Sequence, residues 1–182
     1  SFDINKPGTK IKNLKGGAIG GSVVQGKFSV GDEIEIKPGI LNGKKKSYEP
    51  IQTEIVSLGT GAGTVDNVKP GGLVAIGTKL DPSLSRSDSL LGSVIGKPGT
   101  LPENSTEAKL EISLFDTAVG TQGDTKITPV QVGELLRINI GTAPVPAKVN
   151  KAKADEIEIE FRRPVCLFTG GNVALSRRIS ER

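Results

Sequence analysis

Apolar residues recur at every second position in Glu33-Ile34-Glu35-Ile36-Lys37, Lys109-Leu110-Glu111-Ile112-Ser113-Leu114, Leu136-Arg137-Ile138-Asn139-Ile140 and Glu156-Ile157-Glu158-Ile159-Glu160-Phe161. In an extended chain successive side chains point to opposite faces, so each run sets one face in a core and the other in water. No window of ten or more residues carries the three-four spacing of an amphipathic helix. Further strands are expected at residues 2–4, 18–28, 51–58, 72–76, 90–95, 147–151 and 172–177. The 24 glycines and 11 prolines suit many turns between short strands, because both residues are poor in helix interiors. An all-β fold follows, with about six strands in each half, and closure into barrels is the usual escape from open sheet edges.

Gly and Pro concentrate again in residues 96–105, between two strand-like blocks, which reads as an interdomain linker. Two consecutive small β-barrels are expected, 1–98 and 99–182. The polar segment Gly39-Ile40-Leu41-Asn42-Gly43-Lys44-Lys45-Lys46-Ser47 is expected to be an exposed basic loop.

The formal charge of +4 is uneven: residues 1–98 hold thirteen Lys or Arg against nine Asp or Glu, and the remainder eleven against eleven. A phosphate-bearing or acidic partner therefore fits the first half better. Aromatics are only 3 %, which leaves little with which to stack bases.

The chain has no histidine and one cysteine, Cys166, which excludes an internal disulfide and any credible zinc site and removes the commonest general base. Cys166 stands in the apolar run Val165-Cys166-Leu167-Phe168, where a buried, inert thiol is expected. The carboxylates Asp155, Glu156, Glu158 and Glu160 alternate with apolar residues and read as a solvated strand face rather than a metal site. Gly39 to Ser47 superficially suggests a phosphate loop. Three residues rather than four separate Gly39 from Gly43, Lys45 stands where Ser or Thr is needed, and no helix follows. No cofactor is expected, and no run of 18 apolar residues or leader-like segment points to a membrane. A cytoplasmic location is expected.

Lys15-Gly16-Gly17-Ala18-Ile19-Gly20-Gly21-Ser22 and the turn Val30-Gly31-Asp32-Glu33 resemble the second domain of translational GTPases of the elongation factor Tu superfamily. Within it, Phe2-Asp3-Ile4-Asn5-Lys6-Pro7-Gly8, the run from Lys69-Pro70-Gly71-Gly72-Leu73 through Asp81-Pro82 to Gly96, and Gly171-Asn172-Val173-Ala174-Leu175-Ser176-Arg177-Arg178 are similar to gamma subunits of archaeal and eukaryotic translation initiation factor 2. Pro164-Val165-Cys166, Val119-Gly120 and Gly133 to Gly141 also fit. The resemblance spans the chain and implies the second and third domains of that family.

What the resemblance implies is a non-catalytic scaffold. With the family's GTPase domain it binds methionyl initiator tRNA, and its first barrel docks the alpha subunit. The beta subunit and the small ribosomal subunit complete the assembly, and GTP and magnesium belong to the full-length family protein. By position, Lys15, Gly16, Gly17 and Ala18 match the strand near the tRNA acceptor end, and Gly71, Gly72 and Leu73 a neighbouring strand. Lys44, Lys45, Lys46, Arg162, Arg163, Arg177 and Arg178 are candidates for RNA phosphate contacts. Adjacent arginines of a strand point to opposite faces, so the four cannot line one surface. The GTPase domain is expected before Ser1 and a final strand after Arg182, making this a chain cut at both ends. A selenocysteine-specific elongation factor shares the second-domain pattern and is the nearest alternative. The Asn5-Lys6-Pro7-Gly8 opening and Asp81-Pro82 stand against it. A structural β-protein is the third reading.

Overall fold

A computed structural model describes residues 1, 3–10, 13–45, 47–117 and 126–177. The chain forms two compact units, Ser1–Pro102 and Glu103–Arg182. The first contains strands β1 (Ala18–Ser22), β2 (Phe28–Ser29), β3 (Glu33–Asn42), β4 (Ser47–Thr60), β5 (Gly63–Val65), β6 (Asn67–Val68), β7 (Leu73–Thr78) and β8 (Val94–Gly96). Its main sheet has the order β1-β7-β4-β3-β8, with β5 on β4, while β2 and β6 pair separately. All these pairings are antiparallel.

The period-two pattern does what it predicts on the inner face. Ile34, Ile55, Leu58, Val74 and Ile76 close one core cluster, and Ile19, Ile36, Ile51, Leu80 and Leu90 a second. Each such side chain contributes roughly 1.5–3 kcal/mol by leaving water.

The outer face of β3 departs from the pattern. Glu35 and Lys37 alternate with Ile34 and Ile36 and should be wet, yet they are only 7 % and 4 % exposed. Residues 97–102 fold back over them. Glu35 Oε2 accepts the Gly99 amide at 3.3 Å, and Lys37 Nζ donates to the carbonyl oxygens of Leu101 at 3.4 Å and Pro102 at 3.2 Å. The segment expected to be a linker is thus tied to the first unit through two charged groups.

Three local expectations are corrected. Gly39 to Asn42 is not loop but the far end of β3, with Ile40 opposite Glu49 and Asn42 opposite Ser47. The ladder is interrupted between Ile36 and Ile40 and then resumes. Gly39 makes this feasible, because its φ is +86° and a Cβ there would lie 1.8 Å from the Glu49 carbonyl oxygen. Residues 90–95 become a strand only from Val94, since Ser87, Asp88 and Gly92 adopt positive φ and turn the chain. Asp3 and Ile4 form no strand, and Phe2 lies outside the described residues.

A short 3-10 segment, Pro82–Asp88, broken by the non-helical backbone of Arg86 and Ser87, connects β7 to that turn. Asp81 caps it by accepting the Ser83 amide at 2.8 Å, and Pro82 at the first position has no N–H to leave unsatisfied.

The second unit contains β9 (Asn104–Glu111), β10 (Leu135–Ile140), β11 (Ala143–Ala152), β12 (Glu156–Cys166) and β13 (Ala174–Ser176), in the order β13-β10-β11-β12-β9. Among the described residues these are five strands rather than six. Leu136, Ile138, Val145, Val149, Ile157, Ile159 and Phe161 build its core, and the Cys166 side chain is buried. The fold is all-β, two consecutive half-barrel units of the kind expected from the alternation.

Candidate functional site

The glycine-rich segment leading into β1 divides into two physically different halves. A Cβ on Gly16 would lie 1.8 Å from the Thr78 carbonyl oxygen, and one on Gly17 would lie 2.4 Å from Ser85 Oγ. Gly17 is stitched to its neighbours: its amide donates to Leu80 O at 3.0 Å, and its carbonyl accepts the Thr78 amide at 3.1 Å. These two glycines serve close packing between the start of β1, the end of β7 and the 3-10 helix. Gly17 and Ala18 are buried. Gly20 and Gly21 differ, because a Cβ on either would meet nothing within 4 Å.

Gly20 lies opposite Ala75, and Ala75 in turn lies opposite Gly59 of β4. Two residues along, on the same face, Ser22 lies opposite Leu73, whose side chain is 80 % exposed. Gly71 and Gly72 precede it at φ +128° and +78°, a turn that non-glycine residues enter only with strain. The outer face of β1, β7 and β4 is therefore low and open, with Leu73 at its rim.

The structure does not bring the two expected acceptor-end groups together. Ala18 faces Gly77, whereas Leu73 faces Ser22 at the other end of β1. Four residues of strand, about 13 Å, separate the two ends. Lys15 remains exposed at one end, and Gly71, Gly72 and Leu73 at the other.

Lys15 is also positioned, by a residue that the alternation gave no reason to single out. Asn5 Oδ1 accepts the Lys15 amide at 2.7 Å, and Asn5 Nδ2 donates to the Lys15 carbonyl at 2.8 Å. Asp3 Oδ1 accepts from the Asn5 backbone amide and from its side chain at 2.8 and 2.7 Å. Those two hydrogen bonds hold the Asp3 carboxyl below the usual carboxylate range, with Arg86 adding a weaker electrostatic pull.

The basic candidates separate as well. Lys44 is exposed, with its amide bonded to Asn42 Oδ1 at 3.0 Å. Lys45 pairs with Glu49 at 2.7 Å, a hydrogen bond that raises the Lys45 pKa and lowers that of Glu49. Arg162 is exposed and Arg163 half-buried, as alternation requires. Arg177 is engaged within its own unit. Its guanidinium reaches Glu134 Oε1 and Oε2 at 3.3 and 3.4 Å, Thr128 Oγ1 at 3.1 Å and the Thr128 carbonyl oxygen. Lys46 and Arg178 lie outside the described residues.

Two carboxylates of β12, Glu156 and Glu158, are paired with lysines. Lys109 bridges to Glu156 at 2.8 Å, Lys151 to Glu158 at 2.8 Å and Lys153 to Glu156 at 3.4 Å. The bond from Lys109 is the main reason that the Glu156 carboxyl titrates below its ordinary value. Among the described residues no group of three or more His, Cys, Asp or Glu side chains is arranged to hold a metal ion. A groove of about 610 Å³ lined by Leu114, Phe115, Asp116, Pro129 and Ala154 contains none of the expected contact residues.

The comparisons with known proteins agree with one another. A family model described as "Initiation factor eIF2 gamma, C terminal" matches residues 106–182. Over its whole length the chain is similar to translation initiation factor 2 subunit gamma of Methanocaldococcus jannaschii, with 48 % identity across 45 % of that protein. The corresponding subunits of Thermococcus onnurineus and Pyrococcus furiosus are each 50 % identical, again over all of this chain and 45 % of theirs. The chain spans less than half the length of these relatives.

Proposed function

This chain belongs to the initiation factor 2 gamma subunit family, and from that premise we propose that it is the family's non-catalytic binding scaffold. Its first unit docks the alpha subunit and, with the GTPase domain of the full-length family protein, holds the acceptor end of methionyl initiator tRNA. The beta subunit and the small ribosomal subunit join the complete assembly, in the cytoplasm. GTP and magnesium are handled by that GTPase domain and not by this chain.

The observation that carries this reading is the 48–50 % identity to gamma subunits over the whole length of the chain. The geometry supports it. The face of β1, β7 and β4 offers backbone accessible across Gly20, Ala75 and Gly59, and a flat partner such as a terminal base needs that kind of approach. Lys15 stands exposed at the other end of β1, where phosphate is reachable.

Calorimetric titration of the chain with a purified alpha subunit tests the proposal. Saturable one-to-one heat is expected. No heat with a folded chain would turn the assignment toward the corresponding domains of a selenocysteine-specific elongation factor, or toward a structural β-protein.

A further inference from the structure

We propose that Asn42 is a site of spontaneous deamidation, restrained by Glu49, and that the change loosens the far end of the β3–β4 hairpin. Asn42 is the one asparagine of the chain that precedes a glycine. It closes β3 opposite Ser47, and Gly43 is the exposed residue that follows. A Cβ on Gly43 would meet nothing within 4 Å, so its amide is open to base from solvent and carries no side chain to block an approach.

The Asn42 amide is held at both ends. Its Oδ1 accepts the Lys44 amide at 3.0 Å and the Lys45 amide at 3.3 Å, and its Nδ2 donates to Glu49 Oε2 at 3.0 Å. Glu49 Oε1 in turn accepts from Lys45 Nζ at 2.7 Å. The bond from Lys45, and after it the bond from Asn42, lower the Glu49 pKa, which keeps Glu49 a charged acceptor.

These contacts act in opposite senses. Backbone donors on Oδ1 stabilise the negative charge that grows there when a nucleophile attacks Cγ. Attack also needs Cγ turned onto the Gly43 nitrogen, and an amide tethered at Nδ2 reaches that geometry only when the Glu49 bond opens. In the reaction, hydroxide or water removes the Gly43 amide proton and the nitrogen bonds to Cγ. The Cγ–Nδ2 bond then breaks, Nδ2 takes a proton from water and leaves as ammonia, and an imide ring remains. Water then adds to either imide carbonyl. Breaking the new Cγ–N bond restores the ordinary backbone with aspartate at 42, and breaking the bond to the backbone carbonyl leaves isoaspartate. Water is consumed and ammonia released, with no oxidation or reduction.

Both products lose the Nδ2 donor and add a negative charge beside Glu49, turning an attraction into a repulsion. Beyond the interruption at Gly39 the two strands are paired through Ile40 and Glu49, Leu41 and Tyr48, and Asn42 and Ser47, so this end has few contacts with which to resist.

The test incubates the whole folded chain in mildly alkaline buffer and follows the tryptic peptide 28–44 by mass spectrometry, with enzymatic methylation to detect isoaspartate. That peptide stays uncut at Lys37 because Pro38 follows. Asn42 should convert several times faster than any other asparagine. Gly43→Ala, whose Cβ finds open space, should slow the conversion severalfold, and Glu49→Ala should speed it severalfold. Asn42→Asp, which copies one product, should quicken hydrogen exchange at residues 47–49 while residues 51–58 stay protected. An Asn42 that survives in the folded chain while other asparagines react overturns the proposal, as does a Gly43→Ala rate equal to wild type. A Glu49→Ala rate no faster than wild type overturns the restraint, and unaltered exchange in Asn42→Asp overturns the loosening.

Discussion

Thr78 holds Gly17 twice, its amide donating to the Gly17 carbonyl oxygen at 3.1 Å and its hydroxyl to the same atom at 2.7 Å. The hydroxyl also accepts the Leu80 amide at 3.2 Å, so one buried side chain joins the entry of β1 to the exit of β7. Gly17→Ala forces a Cβ into Ser85 Oγ and should destabilise the first unit by about 1–3 kcal/mol. Thr78→Val leaves the Leu80 amide without the hydroxyl it donates to, while the Gly17 carbonyl keeps the backbone amide of residue 78, and should cost about 1–3 kcal/mol. Gly20→Ala meets open space and should stay within about 0.5 kcal/mol of wild type. Urea unfolding of the three variants checks the contrast, and equal losses at Gly17 and Gly20 would contradict it.

Arg177 bridges Thr128 and Glu134, and its side chain is only 12 % exposed in the ion pair. Arg177→Ala should lower the stability of the second unit by about 1–2 kcal/mol. RNA affinity should change no more than that unfolding explains. A variant with an unaltered urea midpoint and weakened RNA binding would return Arg177 to the set of phosphate contacts.

The Gly99 amide is held by the buried carboxylate of Glu35. Glu35→Ala should therefore accelerate hydrogen exchange at Gly99, while the β3–β4 ladder amides stay protected. Exchange at Gly99 that did not change would show that the carboxylate does not hold residues 97–102.

On the second unit, Glu156 titrates below its ordinary value of 4.5 because Lys109 hydrogen-bonds its charged form. A carboxylate with a depressed folded pKa adds stability above its unfolded pKa, and loses it as pH falls through the folded one. The urea midpoint should fall with acidification below about pH 4.5, and Glu156→Gln should remove part of that fall. Lys109 has the opposite sense: its raised pKa keeps its contribution until strongly alkaline pH. Salt should shrink the effect, since both groups face solvent. A wild-type profile that Glu156→Gln leaves unaltered would assign the acid sensitivity to other carboxylates.

Much of the fold was readable from period two, for a physical reason. A strand half in water needs its apolar residues on one side, so Ile34, Ile36, Ile138, Ile140, Ile157 and Ile159 declared both their strands and their buried face. The same pattern set Glu158 and Glu160 outward, though not the lysines that pair with β12: Lys151 comes from β11 and Lys109 from β9, across the sheet. Motif resemblance reached the family that the comparisons support, because matches in fixed order along a chain are specific even where single glycines are not.

The acceptor-end candidates were less legible. Gly16, Gly17, Gly20 and Gly21 are equivalent letters in one segment. Only the positions of Thr78, Ser85 and Ala75, some sixty residues away, separate the pair that must be glycine for packing from the pair that leaves a face open. The same holds for Glu35 and Lys37, which alternation puts in water and the returning segment 97–102 covers.

The sequence alone thus determined where strands form and which side of each is apolar, along with the chain's lack of residues for disulfide or zinc chemistry, because alternation and composition are local properties. Tertiary structure decided which glycines are confined, which cations are already paired and which side chains are clamped. Those outcomes depend on distances between residues far apart in the chain, and no local pattern encodes such distances.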